Sequence, residues 1–272
     1  MRRNPLARGG AVGQAVAVPR LEASRYLSAL RADTARIVAL APGALDRPVP
    51  GCPGWNVADV LRHLGEVYLH KAASVRLGRR APQDGVPPAP DDDAALLPWL
   101  DDALGTVLAA VGGDPEAPAW SWWPPDATIG FWQRRMAQET LVHRVDVEQA
   151  AGLSADVDGE LAADGVDEVL TAFLPVWLPL DGPGAGLPAD LTAHVAVRTT
   201  GPDAAGRSWD VRVDGLRAEV GGPAGDAPAV LEGPPGALLL WAWGRGDAAA
   251  LRVGGDRGQV DALRRALAAA TV

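Results

Sequence analysis

The chain has 272 residues, a hydrophobic content of 48% and a formal net charge of −9 at pH 7. This length and apolar content are sufficient for a hydrophobic core without covalent cross-links. The negative charge argues against general nucleic-acid binding, which depends on clustered lysine and arginine. The single cysteine, Cys52, excludes an internal disulfide framework and a cysteine-based zinc finger, so His and carboxylate groups would have to hold any metal.

The first 20 residues predict a disordered leader. Arg2 and Arg3 precede a short apolar run that glycine and polar residues interrupt, and no convincing cleavage site follows it. No later segment approaches the roughly 20 uninterrupted apolar residues of a membrane helix. Together with the single cysteine, this pattern predicts a cytoplasmic protein that has no contact with a membrane.

The next part of the chain predicts two amphipathic helices. Apolar residues recur at helical spacing in Leu21–Leu40, and prolines then interrupt the chain. A second helix is predicted to begin at Asn56, a good N-cap, with Asp59 in capping-box position, and to end at Gly78. His63 falls in the second turn of this helix.

Three further helices are predicted, and helices of this length with short to moderate connections form a bundle of about four. They span Ala94–Val111, Thr128–Ala151 and Ala155 to about Leu174, where Pro175 is expected to end the last one. The loop before the fourth helix is unusually aromatic, with three tryptophans within Trp120–Trp123. These tryptophans favour either core packing or a specialised pocket.

A change of periodicity predicts a second domain. The stretch Pro179–Ala189 contains three prolines and three glycines and is typical of a domain boundary. The elements predicted after it are strands at Leu191–Thr199, Ser208–Val213, Leu216–Val220 and Ala250–Val253 and helices at Gly236–Trp243 and Gly258–Ala270. We therefore expect a helical domain at residues 21–181 and a small α+β domain at residues 190–272.

The strongest candidate site joins the second and fourth helices. Glu139 and His143 lie four residues apart, so both project from one helical face, and His63 can approach them from the other helix. Two nitrogens and one carboxylate oxygen suit zinc, and three protein ligands leave the fourth position open, as in catalytic sites. The alternatives are a simple surface pair for Glu139 and His143 and a hydrogen-bonded role for His63.

Each of three other polar residues has two possible roles. His70, two turns after His63, is a rival ligand or an exposed residue. Asp146, three positions after His143, can orient an imidazole or form a salt bridge. Cys52 is either a reactive thiol or a small buried residue.

Two motifs resemble those of the mycothiol-dependent maleylpyruvate isomerase family of the DinB-like superfamily. They are Pro53–Leu64 and Glu139–Asp146, and Leu240–Gly246 resembles the second domain of that family, a unit of sterol-carrier type. The resemblance implies a DinB-like four-helix bundle followed by a small α+β domain, with His63, Glu139 and His143 as metal ligands. It also implies a catalytic or substrate-binding role for Arg245, which is otherwise explained as a cation at a helix end.

The function implied by this resemblance uses zinc or another divalent metal together with mycothiol, a low-molecular-weight thiol. A metal-activated thiolate adds to a conjugated cis double bond and leaves after rotation, which isomerises a maleylpyruvate-like acid, or it stays attached to an electrophile in S-transfer. The expected partners are this thiol and a small electrophilic substrate. The rival functions are a non-catalytic metal-containing ligand-binding module and a metal-dependent hydrolase, and the oligomeric state is open.

Overall fold

A computed structural model describes residues 20–201, 206–223 and 225–271. The predicted leader therefore lies outside the described residues, apart from Arg20. Two compact units are present, one comprising Arg20–Gly165 and Leu239–Asp247, the other the described residues of Val166–Leu238 and Ala248–Val272. The domain limits at residues 21–181 and 190–272 stay a prediction.

The first unit is a four-helix bundle, as expected. Its helices are α1 (Ala23–Leu40), α2 (Val57–Leu77), α3 (Leu96–Val111) and α4 (Ile129–Ala150). α1 packs against α4, and α2 packs against both α3 and α4. The side chains that meet in its core are fully buried and mostly large: Leu30, Ile37, Leu61, Leu64, Tyr68, Leu100, Val107, Trp132 and Met136.

The predicted start and end of α2 are confirmed. The Asn56 side chain accepts the backbone N–H of Asp59 at 2.9 Å, and the Asp59 carboxylate accepts the backbone N–H of Asn56 at 3.0 Å. This reciprocal capping box satisfies two otherwise unpaired donors. Gly78 ends the helix in the left-handed region at φ 62°, a conformation that glycine adopts without strain. The capping box thus fixes where the turn that carries His63 begins.

α4 is the most buried helix of the bundle and still carries many polar side chains. Thr128 caps its N-terminus, accepting the backbone N–H of Phe131. Buried polar groups are tolerated when they are hydrogen-bonded, and most of those on α4 find partners on both sides of the helix. Arg134, for example, donates to Asp164, whereas Arg135 donates to Glu139. α4 therefore holds two separate polar clusters, one of which is the candidate site.

The helix predicted to stop before Pro175 continues beyond it, so that prediction is wrong. α5 (Gly159–Glu168) passes through a π-helical turn at Val169–Phe173 into α6 (Leu174–Asp181). Pro175 stands in the first turn of α6, where a missing N–H is tolerated, and the wider π-helical turn precedes it.

The second unit contains a five-stranded mixed sheet. Its strands are β1 (Thr192–Thr199), β2 (Ser208–Asp214), β3 (Arg217–Gly221), β4 (Ala229–Gly233) and β5 (Arg252–Gly255), in the order β3-β2-β1-β4-β5. β1 and β4 are parallel and the other neighbours antiparallel. The remaining helices are α7 (Pro235–Trp243) and α8 (Arg257–Ala270), and α8 packs on β1. The α+β class is as predicted, but β4, the parallel neighbour of the central strand, was not predicted.

One helical stretch in the described part of the chain, Asp93–Val111, is long and apolar enough to cross a membrane, with a mean hydropathy of 1.4. The indication is weak because core helices pass the same test. Leu100 and Val107 of this stretch have no exposed surface and pack in the bundle core.

The face of α4 turned towards α1 borders a cavity of about 460 Å³ that contains a perturbed carboxyl group. Asp33 Oδ1 forms an ion pair with Arg144 Nε at 2.9 Å, while the other oxygen of Asp33, Oδ2, is buried without a hydrogen-bond partner. Burial raises the pKa of Asp33 to about 6, an effect that Arg144 opposes and Glu148 reinforces. The folded protein therefore binds a proton here more tightly than the unfolded chain does.

This difference predicts a pH-dependent stability. The contribution of Asp33 is fully present below its unfolded pKa and is lost as pH rises from about 4 to about 6, a change of about 3 kcal/mol. Asp33→Asn cannot titrate and should lack this component. Denaturant unfolding of both proteins across this range would show the wild-type free energy of unfolding falling relative to that of the variant. Parallel pH profiles would contradict the expectation.

Candidate metal centre

His63, Glu139 and His143 lie together in the structure. α4 presents Glu139 and His143 one turn apart, and α2 brings His63 alongside them. His63 Nε2 lies 3.1 Å and His143 Nε2 lies 3.6 Å from Glu139 Oε1. The two imidazole rings are 5.0 Å apart between centroids. The three predicted ligand atoms therefore converge on one point.

These distances fit a tetrahedral metal ion. Zinc–nitrogen and zinc–oxygen bonds of about 2.0–2.1 Å at tetrahedral angles place ligand atoms about 3.4 Å from one another. The separations of 3.1 and 3.6 Å bracket that value. The His63 side chain is 36% exposed, whereas those of Glu139 and His143 are 16% and 8% exposed. Access to the centre is therefore from the His63 side.

Groups behind the candidate ligands hold them in orientation. The Nδ1 of His143 lies 2.9 Å from Asp146 Oδ2, so this nitrogen donates to the carboxylate and Nε2 faces the centre. Arg135 donates to the other oxygen of Glu139, Oε2, at 2.7 Å. The guanidinium of Arg135 also lies over the Trp243 ring, 5.7 Å from its centroid. Such supporting contacts are characteristic of metal sites.

The pKa values around the centre follow from these contacts. Burial alone would raise the pKa of Glu139, but hydrogen bonds with His143 and His63 and the charge of Arg135 hold it well below its usual range. Burial would likewise raise the pKa of Asp146, which His143 and Arg245 lower instead. Both carboxyl groups are therefore ionised and able to accept hydrogen bonds or bind a cation.

Arg245 reaches this unit through the turn that follows α7. Its Nε and Nη2 donate to the two oxygens of Asp146 at 3.0 and 3.1 Å, and its Nη1 donates to the Trp243 carbonyl at 2.7 Å. Nη2 also donates to the Cys52 sulfur at 2.9 Å. Most of its N–H groups are therefore occupied by the protein, and the arginine acts on His143 through Asp146.

The loop before α2 lies against this ion pair. A Cβ atom at Gly51 would stand 2.7 Å from Asp146 Oδ1 and 3.0 Å from Arg245, so only glycine allows this approach. Burial raises the pKa of the neighbouring Cys52 to about 11, reinforced by Asp146 and opposed by Arg245. This favours the reading of Cys52 as a small packed residue over that of a reactive thiol.

Two other groups in the described part of the chain bring potential ligand atoms within 4.8 Å of one another. The first, Cys52 with His143 and Asp146, already contains the guanidinium of Arg245, which donates to both the sulfur and the carboxylate. The second is His194 with Asp210 and Asp226, where Arg212 pairs with both carboxylates. In each of these groups an arginine contacts two of the three potential ligands, whereas in the trio Arg135 donates to Glu139 Oε2 and Oε1 faces the two imidazoles.

Trp55 forms an aromatic wall beside the two histidines. Its ring centroid lies 5.1 Å from that of His63 and 6.3 Å from that of His143, stacked on the latter at 13°. A large apolar surface at this position limits water around the imidazoles and restricts their rotation.

Two other predicted candidates have contacts that do not involve the three proposed ligands. His70 is buried, so the expectation of an exposed residue is wrong, and its Nε2 donates to the Ala81 carbonyl at 3.0 Å. The aromatic loop packs on the bundle core, with Trp122 edge-on to Phe131 and Trp120 stacked on Trp132. The core-packing reading of this loop is thus the one its contacts favour.

Sequence reasoning did not identify Arg135, Trp55 or Gly51 as part of this site. Arg135 precedes Glu139 by one helical turn, and that spacing was a usable signal. Trp55 and Gly51 lie in the loop before α2, where neither periodicity nor spacing relates a side chain to a distant helix.

The fold and the site define a two-part protein in which a four-helix bundle holds a candidate His₂Glu centre and an α+β unit follows. Sequence profiles of known families match most of it: "Mycothiol maleylpyruvate isomerase N-terminal domain" over residues 27–148 and "MDMPI C-terminal domain" over residues 160–262. The chain belongs to the mycothiol-dependent maleylpyruvate isomerase family.

Solved structures agree with this assignment at the level of the fold. A mycothiol-dependent maleylpyruvate isomerase is similar with a TM-score of 0.55 and 14% identity, covering 87% of this chain and 95% of its own. A histidine-to-alanine mutant of such an isomerase is similar with a TM-score of 0.57 and 13% identity over the same shares. The comparison with curated protein sequences gives no match.

Proposed function

We propose that the chain is a zinc-dependent enzyme that uses mycothiol to isomerise a small maleylpyruvate-like acid or to transfer the thiol to an electrophile. The observation that carries this proposal is the convergence of two imidazole nitrogens and one carboxylate oxygen at an accessible point. Membership of the family supports the thiol and the substrate class, since the similar solved structures are named as mycothiol-dependent maleylpyruvate isomerases.

The proposed ligands are His63, Glu139 and His143. Zinc held by them would keep one coordination position open and supply the Lewis acidity that lowers the pKa of a thiol. Two other residues position the ligands: Asp146 keeps the Nε2 of His143 directed at the centre, and Arg135 holds Glu139 through a hydrogen bond. Trp55 shields the imidazoles from water.

The proposed isomerisation balances without an additional reagent. The thiolate sulfur forms a bond to one carbon of the conjugated cis double bond, and the electron pair moves to the adjacent carbonyl as an enolate. Rotation follows about what is now a single bond. The enolate then re-forms the double bond as the carbon–sulfur bond breaks, which releases the thiolate and the trans acid. In S-transfer the enolate carbon takes up a proton from water and the carbon–sulfur bond persists, so the two reactions share their first half.

The predicted catalytic role of Arg245 stays a prediction, and its contacts support a positioning role. A guanidinium that donates to Asp146, Cys52 and the Trp243 carbonyl has little capacity left for a substrate carboxylate. We also propose a cytoplasmic location, supported by the unpaired thiol of Cys52 and by the use of a thiol cofactor.

A product assay tests the function. Zinc-loaded protein is incubated with mycothiol and either maleylpyruvate or a panel of electrophiles, and products are identified by proton NMR and mass spectrometry. We expect the trans acid or an S-conjugate, dependent on both zinc and thiol. Turnover without thiol would identify a hydrolase, and ligand binding without any product would identify a non-catalytic module; either result would refute the proposal.

A further inference from the structure

Lys71 is the only lysine of the chain, and it lies on α2 two turns beyond His63. Its side chain is partly buried, and its Nζ lies 3.4 Å from the Nδ1 of His70. Because the Nε2 of His70 donates to the Ala81 carbonyl, Nδ1 carries a lone pair and accepts from Lys71. Within the described residues, the ammonium group of Lys71 has this one hydrogen bond, a long contact with an uncharged imidazole ring.

Two of the three charged residues that act on Lys71 belong to the candidate metal centre. The three are Glu139, Arg80 and Arg135. Two arginines whose charges also act together with that of Glu139 have carboxylate partners: Arg135 donates to Glu139 itself, and Arg245 donates to Asp146. Lys71 has no ion pair with any described residue. Among the described residues, no carboxylate therefore compensates the charge of Lys71.

We propose that Lys71 is a substrate-binding residue of this centre and that it binds the carboxylate of the small unsaturated acid that reacts there. The inference rests on the proposed function. Most N–H groups of Arg245, the arginine that the sequence suggests for this role, are occupied by the protein, whereas Lys71 has no carboxylate partner among the described residues.

The position of Lys71 suits such a contact. Eight residues along an α-helix correspond to about 12 Å, and helical side chains lean towards the N-terminal end, which here is the end that carries His63. Because the lysine ammonium is carried on a flexible four-carbon chain, it can bind substrate carboxylates that lie at different distances.

The energetics of the ammonium group point in the same direction. Burial lowers the pKa of Lys71 to about 8, with Arg80 and Arg135 lowering it further and Glu139 raising it. An incompletely solvated ammonium without an anionic partner is unfavourable, and a substrate carboxylate would compensate it through a charge-assisted hydrogen bond.

Because the chain has one lysine, its amino group can be observed directly. Reductive methylation with carbon-13 formaldehyde keeps the charge and labels Lys71, while any labelled α-amino group gives a chemically distinct resonance. Maleate is the probe, an unreactive dicarboxylate, and maleamide is its uncharged counterpart. In the zinc-loaded protein we expect maleate, but not maleamide, to shift the Lys71 methyl resonance.

Variants give the second measurement. Lys71→Met should weaken maleate binding roughly tenfold or more, the effect of a hydrogen bond to a charged group, and Lys71→Arg should retain part of it. Arg76→Met removes a positive charge from an exposed position on the same helix and should leave the affinity unchanged. Zinc content should be the same in all of these proteins.

Several results would overturn the proposal. These are the absence of maleate binding to the wild-type protein, an unshifted Lys71 resonance, full affinity in Lys71→Met, or an equal loss in Arg76→Met. The assay needs no turnover, so its outcome is separable from that of the proposed function. Maleate binding through Lys71 in a protein without thiol-dependent activity would refute only the reaction.

Discussion

Replacing His143 by alanine is expected to remove the metal from the protein and, with it, all thiol-dependent turnover. Its Nε2 supplies one of only three protein ligands in the proposed centre, and the alanine variant leaves two at an accessible site. Zinc content should fall from about one equivalent per chain to a small fraction of that. His63→Ala should act in the same way. Metal analysis after extensive dialysis measures this without any activity assay.

The chain's four histidines provide matched controls. His70 faces the Ala81 carbonyl, and His194 belongs to the cluster already paired with Arg212. Alanine at either position should leave the zinc content unchanged, with circular dichroism reporting on any loss of fold at the buried His70. Zinc lost in His194→Ala, or kept in His143→Ala, would place the metal elsewhere.

A Cys52 variant distinguishes between the two groups of potential ligands that share His143. If the metal were bound by Cys52, His143 and Asp146, then Cys52→Ala would lower zinc content as much as His143→Ala does. We expect no change in zinc content, because the Nη2 of Arg245 already donates to both that sulfur and that carboxylate. Cobalt substitution gives an independent reading, since a thiolate ligand produces a charge-transfer band that histidine and carboxylate ligands lack.

The features that sequence could predict depend on local rules. The capping box at Asn56 and Asp59 set the start of α2, and the spacing of Glu139 and His143 put both on one face of α4. Helix geometry only allows His63 to approach this pair from α2, and it is the order of the family motifs that strengthens its assignment as a ligand. The assignment of the three as ligands stays a prediction that the dialysis experiment tests.

The remaining features depend on tertiary contacts or on competing signals. Arg245 is almost a hundred positions from Asp146, so no periodicity relates them, and its commitment to that carboxylate could not be foreseen. Pro175 was read as a helix end because its ring normally breaks one, but a π-helical turn accommodates it. The sequence does not predict β4, because Ala229–Gly233 begins with three consecutive apolar residues in place of the alternation seen in β1, and its pairing partner β1 lies thirty residues earlier.

Asp146→Asn should weaken metal binding without dismantling the site. The asparagine side-chain oxygen can still accept from the Nδ1 of His143, so the imidazole keeps its orientation, but the negative charge that makes the ring a stronger ligand is lost. Changes of this kind typically lower metal affinity about 10–100-fold. Competition titration with a chromophoric zinc chelator measures the affinity directly.

Arg245 gives the complementary test, because it touches Asp146 and not the proposed ligands. Arg245→Lys keeps one charge but loses the bidentate geometry, and Arg245→Met leaves a fully buried carboxylate without its cationic partner. We expect zinc affinity to fall in the order wild type, Arg245→Lys, Arg245→Met. The double variant Asp146→Asn, Arg245→Met should lose less than the sum of the single losses, because both act through one contact with His143. If Arg245 instead binds substrate, Arg245→Met will raise KM at an unchanged zinc affinity, and its effect will add to that of Asp146→Asn.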